Sequence, residues 1–383
     1  MQSRPVLFSA ARNRDGRLAW IDYARAIAIF LVLYRHIFVG IKRSGIDISH
    51  YLYLEHANII FYSFRMPLFF IVSGVFVSAS LGKRGLLKFI DNKWQLLLYP
   101  YLVWATIQVT LQLIFSKYVN ADRDYRDYLY IFYVPRELDQ FWYLYALFNT
   151  SVLYAIMLVK AKFGKWHHLT LGLVLYIGSS LLARYRINLG FVYDILHYYL
   201  FIAIGDSVSS YVLNKKNEPF FSSLKLFFIL IPFFIVGQWY FLRANLDHQS
   251  YSYVEDYQPM LFLAIALNGC CLMANFSFML QRYTNLVYVR MLGFYSLYIY
   301  LMHVVASSAI RILLERAFHL HNVPVLLVTG ILGGLFLPVI FYDVAQWAGA
   351  WWLFSPVKTR PAKGPGKGSE KGPEKKMQTT TGG

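Results

Sequence analysis

The side chains with chemistry to offer stand where charge is costly. Between Leu18 and Gly40 an apolar run holds four ionisable residues, Asp22, Arg25, Arg35 and His36. A charge at the centre of a bilayer helix costs about 3 kcal/mol on insertion scales, so each of them needs a reason. Asp22 and Arg25, three positions apart, share a helix face and can pair. Arg25 and His36 are eleven apart, which on a helix is three turns plus about 20°; both project from one face, ~16 Å apart along the axis. A cation at one mouth of a bundle can hold a phosphorylated donor, while a histidine deeper in can take a proton from an acceptor arriving from the other side. The plain alternative is an Asp22–Arg25 pair that orients the helix, with His36 satisfied at the interface. Arg35 points away from that face, and snorkelling to the outer headgroups accounts for it.

Two further runs carry similar residues. The second reads Phe64-Arg65-Met-Pro67-Leu-Phe-Phe70 followed by Ser73-Gly74. Arg65 is another membrane-buried cation, Pro67 frees a backbone carbonyl beside it, and the small pair permits close helix packing. A structural counter-ion role would also explain Arg65. Near the C-terminal end, Ser296 to His303 places a histidine deep in an apolar stretch, with Tyr300 one turn before it. His197 and Asp206 are secondary candidates that bundle packing can explain, and Phe141-Trp142-Tyr143-Leu144 fits an interfacial aromatic belt. The chain has no nucleophile elbow, Walker loop, dinucleotide fingerprint or zinc-ligand spacing, so no metal site is expected. Cys270 and Cys271 are adjacent, cannot staple distant segments, and read as small helix- or lipid-facing residues.

The elements that must position these groups are transmembrane helices. The 383 residues are 57% hydrophobic and only 15% charged, more apolar surface than a soluble chain can cover. Spans of about 20 apolar residues are expected near 18–40, 58–80, 95–116, 141–159, 169–183, 191–213, 224–242, 259–280, 287–310 and 324–353, the last kinked at Pro338. The fold class is thus an all-α polytopic bundle of about ten spans. The net charge of +17 would suggest nucleic acid in a soluble protein; here the basic residues separate apolar runs and serve orientation and lipid headgroups instead. With the N-terminus in the cytoplasm, 23 of the 37 Lys and Arg fall in cytoplasmic segments and 11 opposite, which places both termini inside. Residues 1–17 then form a cytoplasmic segment, 18–357 the transmembrane domain, and the Gly/Pro/Lys-rich stretch 358–383 a disordered tail. The expected outer segments Asn120–Gln140 and Asn245–Gln258 mix acids with tyrosines, a composition suited to sugars and equally to an aromatic belt.

At Asp22-Tyr-Ala-Arg25 with His36, at Arg65-Met-Pro-Leu-Phe-Phe with Ser73-Gly74, at Phe141-Trp-Tyr-Leu and at Ser296 to His303, the chain resembles the acyltransferase-3 family of membrane O-acyltransferases, including its fucose acetylase-like branch. The matches run in family order across most of residues 18–353. The resemblance implies transfer of an acyl group, usually acetyl, from cytoplasmic acyl-CoA to a hydroxyl of a cell-surface glycan or lipid-linked sugar. That is an activity of the EC 2.3.1 type in a plasma membrane, bacterial by the family's habit, with acyl-CoA as co-substrate rather than bound cofactor. It also implies that His36 is catalytic and that Arg25 helps bind the donor. The sequence departs from the family at one place: many members carry an Arg-rich pair just before the third span's Tyr-Pro, where Lys93 precedes Tyr99-Pro100 here. The appended hydrolase-like domain of some relatives is not seen, which implies a single-component enzyme. The expected site is therefore His36 as base, Arg65 and His303 polarising the thioester, and Arg25, Asp22 and Lys93 at the donor. A secondary transporter or flippase of a sugar-containing substrate is the rival reading; such proteins often show repeated halves, and none is visible.

Overall fold

The computed structural model describes residues 18–117 and 123–358. The expected N-terminal segment 1–17, and all of the tail after Lys358, lie outside the described residues. Every regular element among those described is helical, and ten helical stretches are long and apolar enough to cross a membrane. We number their spanning helices α1 Ala19–Arg43, α2 Leu52–Gly74, α3 Tyr99–Ile114, α4 Trp142–Val159, α5 Lys165–Arg184, α6 Phe191–Val212, α7 Leu224–Asp247, α8 Pro259–Tyr283, α9 Ser296–Ala317 and α10 Val323–Trp347. The bundle is that of a multi-pass membrane protein.

Helix ends differ from the hydropathy reading where polar residues continue an apolar run. α5 starts at Lys165 rather than near 169, because Lys165, Trp166 and His167 extend the helix without adding to its hydrophobicity. The third crossing begins with a helix at Leu86–Lys93, passes through a π turn at Trp94–Leu98 and continues as α3. The expected ninth span is two helices, Val287–Phe294 and α9, divided at Tyr295 inside an unbroken apolar stretch that gives no sign of the division.

α1 is the hub. It is buried on nearly all sides and packs against α2, α8, α9, α10 and the helix Val287–Phe294. Glycines allow its closest contacts: a Cβ on Gly293 would stand 1.8 Å from the backbone oxygen of Asp22, and one on Gly330 2.8 Å from Ile37. The Ser73-Gly74 pair behaves as its composition suggests, since Gly74 and Gly205 bring the α2 and α6 backbones together, leaving no room for a side chain at either. By contrast α7 fully buries only Gln238, Phe241 and Asn245, with Phe234, Tyr240 and Leu242 partly buried against the core. Cys270 faces the bundle and Cys271 faces out, both as free thiols.

Candidate active site

α1, α2, α6 and α9 enclose a cavity of about 200 Å³ at the end of the bundle where the segments 123–141 and 253–258 fold over it. α1 contributes Arg35 and His36, α2 contributes Tyr62 and Arg65, α6 contributes His197 and Tyr198, and α9 contributes Tyr300. His303 sits directly behind, with its ring centroid 5.2 Å from that of His36 in an edge-to-face contact. Three of the sequence-expected site residues, His36, Arg65 and His303, therefore meet at one place.

His303 is fully buried, and its Nδ1 lies 2.9 Å from the carbonyl of Tyr300 and 3.1 Å from that of Ile299. Both partners only accept, so Nδ1 carries the proton and Nε2 bears a lone pair. That Nε2 is buried and unpaired. His36 is only half-buried, lines the cavity and makes no hydrogen bond among the described residues. Arg65 is 4% exposed. Its Nη1 lacks a hydrogen-bond partner, and no carboxylate pairs with it among the described residues. The surrounding polar groups are the Arg35 guanidinium and the hydroxyls of Tyr62, Tyr198 and Tyr300. The Tyr300 hydroxyl donates to the Gln140 carbonyl, which clamps α9 to the segment covering the cavity.

Asp22, Arg25 and Lys93 lie at the other end of the bundle. Arg25 and Lys93 are close enough to feel each other's charge, with Arg84 adjacent. Tyr143 stands between the two ends: it meets the Tyr300 ring at 5.3 Å on one side and lies in electrostatic range of Arg25 on the other. The long separation along α1 read from the sequence is thus a separation of two polar regions joined by one tyrosine pair.

Several residues join the site that sequence reasoning placed elsewhere. Arg35 lines the cavity instead of reaching outer headgroups. Phe141, Tyr143 and Leu144 are buried and Trp142 borders the cavity, so this motif is bundle interior and not an aromatic belt. His197 sits in the wall, 3.0 Å from Glu255, whose other oxygen accepts from the Tyr62 hydroxyl. Asp206 does not join them; it accepts from Tyr154 at 2.8 Å and from the Ser78 backbone. Arg136 comes from the covering segment. It pairs with Asp194 at 2.6 Å and lies over Trp142 and Tyr193 at 4.6 and 5.1 Å. Burial alone would lower the affinity of Arg136 for its proton, but the Asp194 carboxylate outweighs it and raises its pKa well above the ordinary value. For Arg136 and Glu255 the available signal was the acid-and-tyrosine composition of the two segments, which named no partner across the bundle, whereas His197 stood out as a histidine within an apolar run.

At the lip, Asp139 takes φ +56°, a backbone region that favours glycine, between Arg123 at 3.4 Å and Arg43 at 3.7 Å. Such a conformation costs about 1–3 kcal/mol and persists where neighbours over-determine it.

Polar groups with unsatisfied valences around a half-open histidine make a site for proton transfer beside a developing negative charge. The Acyltransferase domain model of the acyltransferase-3 family matches residues 18–345, most of the chain. The chain belongs to the acyltransferase-3 family. It is a membrane acyltransferase, and the matched stretch contains all ten candidate spans apart from the last two residues of α10. Comparison with curated proteins and with solved structures finds no match.

Proposed function

We propose that this acyltransferase moves an acyl group, usually acetyl in its family, from cytoplasmic acyl-CoA to a hydroxyl of a cell-surface glycan or lipid-linked sugar. The observation that carries this reading is the cavity-facing, unbonded His36 beside the buried, lone-pair-bearing Nε2 of His303. His36 accepts the proton of the acceptor hydroxyl as its oxygen attacks the thioester carbon. The tetrahedral oxyanion collapses, the carbon–sulfur bond breaks, and the proton on His36 passes to the leaving CoA thiolate. With the His303 proton held at Nδ1 by its two carbonyl partners, Nε2 has no N–H to offer, so polarising the carbonyl falls chiefly to Arg65. His303 instead positions His36 and presents a lone pair to its protonated form.

In this reading Arg25 and Lys93, with Asp22 orienting Arg25, meet the CoA phosphates, and the pantetheine arm runs past Tyr143 toward His36. The charged end is then cytoplasmic, as are both termini, and the cavity opens on the opposite side of a plasma membrane, a bacterial inner membrane by family habit. The transmembrane domain is taken as 18–357 between a cytoplasmic segment and a basic tail, and the fucose acetylase-like branch is its expected place in the family. The cavity is smaller than the roughly 300–1,000 Å³ of drug-sized ligand pockets, which suits one sugar ring entering from an open lip. The test is mass spectrometry of cell glycans with and without the gene. A gene-dependent gain of one acyl mass supports the reading; identical glycan spectra, with labelled sugar crossing vesicles without acyl-CoA consumption, would replace it with transport.

A further inference from the structure

The charges lining the cavity do not balance. Arg136 is paired with Asp194, Arg43 faces Asp139 at 3.7 Å, and Glu255 is held by His197 and the Tyr62 hydroxyl. Two guanidinium groups of the lining have no carboxylate partner among the described residues. Arg65 is 4% exposed with Nη1 unpaired. Arg35 lines the same cavity and makes no hydrogen bond or ion pair among the described residues, and the two feel each other's charge. Like charges sharing a site of low dielectric repel, and an uncompensated buried charge is strongly destabilising. The oxyanion of acyl transfer would compensate one of them, and only in the transition state. The second cation has no task in that chemistry.

Resting on the acyl-transfer reading, we infer that Arg35 and the free end of Arg65 hold an anionic group, carboxylate or phosphate, carried by the substrate beside the reacting hydroxyl. A guanidinium grips such groups through paired N–H donors, and the Tyr198 hydroxyl near Arg65 can donate to a remaining oxygen. A uronic acid or sugar phosphate would supply the anion on the acceptor. A dicarboxylic acyl group would supply it on the donor. A neutral sugar with an acetyl donor would leave the second cation unanswered.

The test uses the full chain in lipid nanodiscs, with D-glucuronate, glucose 6-phosphate and D-glucose as acceptor-side probes and succinyl-CoA against acetyl-CoA as donor-side probes. The expected result is at least tenfold tighter binding of glucuronate or glucose 6-phosphate than of glucose. Arg35→Gln should abolish that preference while Arg35→Lys retains it in part, and Arg65→Gln should weaken it likewise. A tenfold preference for succinyl-CoA over acetyl-CoA, lost in the same Gln variants, would locate the anion on the acyl group. Equal binding of charged and neutral probes on both sides overturns the inference, as does a charge preference that survives both Gln substitutions. Binding by the wild type alone is decisive if a variant fails to fold. His36-dependent acyl-CoA turnover, measured on the same samples, decides the acyl-transfer reading separately.

Discussion

The His36 and His303 rings meet edge to face, centroids 5.2 Å apart, across the contact between α1 and α9. The relation is asymmetric. His303 is locked by two backbone carbonyls and sealed from the cavity, whereas His36 is unbonded and faces it. One ring is fixed and the other is available, which is the arrangement a base and its positioning neighbour require.

Replacing His303 should therefore impair chemistry more than binding. His303→Ala is expected to lower kcat for acyl-CoA turnover about 10²-fold with little change in KM for either substrate. Steady-state kinetics on monodisperse protein check this; a rise in KM at constant kcat would mean that His303 contacts substrate instead.

Arg65 should matter to the transition state. Loss of one preorganised donor to an oxyanion commonly costs about 10²–10³ in kcat, so Arg65→Gln should fall in that range. Arg65→Lys, which keeps charge but loses the fork, should recover only part. Equal activity of the Gln and wild-type proteins would remove Arg65 from the reaction.

The position of α1 depends on Gly293. A Cβ there would meet the Asp22 backbone oxygen at 1.8 Å, and backbone cannot swing aside as a side-chain tip can. Gly293→Ala should destabilise the bundle by about 1–3 kcal/mol, the usual cost of overpacking, and lower turnover with it. Thermal unfolding in nanodiscs measures the effect. An unchanged midpoint would show that the helix Val287–Phe294 is free to move off α1.

The covering segment 253–258 should respond to pH through Asp256. Burial, aided by the neighbouring Glu255 charge, raises its carboxyl to about 6 against the hydrogen bond from Ser252. The native state then holds a proton that the unfolded chain releases at lower pH, so stability is full below the ordinary carboxyl range and declines as pH rises toward 6. Asp256→Asn should flatten that decline. Melting temperatures from pH 4 to pH 7 test it, and an identical slope in the variant would contradict it. Glu255 has the opposite sign: burial favours its neutral form, but hydrogen bonds from His197 and Tyr62 and nearby positive charge prevail and hold its pKa below the ordinary value.

The sequence made the fold legible because bilayer crossing demands long apolar helices, and all ten expected runs correspond to candidate spans. His36, Arg65 and His303 stood out because each is expensive in lipid, a cost that can be read one residue at a time. What remained hidden depends on pairs. The inward turn of Arg35 follows from how α1 sits against α2, and the meeting of Glu255 with His197 requires the short helix Tyr253–Tyr257 to fold against α6. The break at Tyr295 was invisible because apolarity does not change across it. Trp142 and Tyr143 looked like an interfacial belt because composition cannot distinguish a lipid-facing ring from a bundle-facing one.

The central claim is that His36 is the base in acyl transfer. The direct measurement is release of free CoA from acetyl-CoA by the protein in nanodiscs, with and without a sugar acceptor, for wild type and His36→Gln. The account predicts acceptor-dependent CoA release by the wild type and a loss of at least 10²-fold in the variant, with insertion and melting temperature retained. Undiminished release by a folded His36→Gln protein would contradict it.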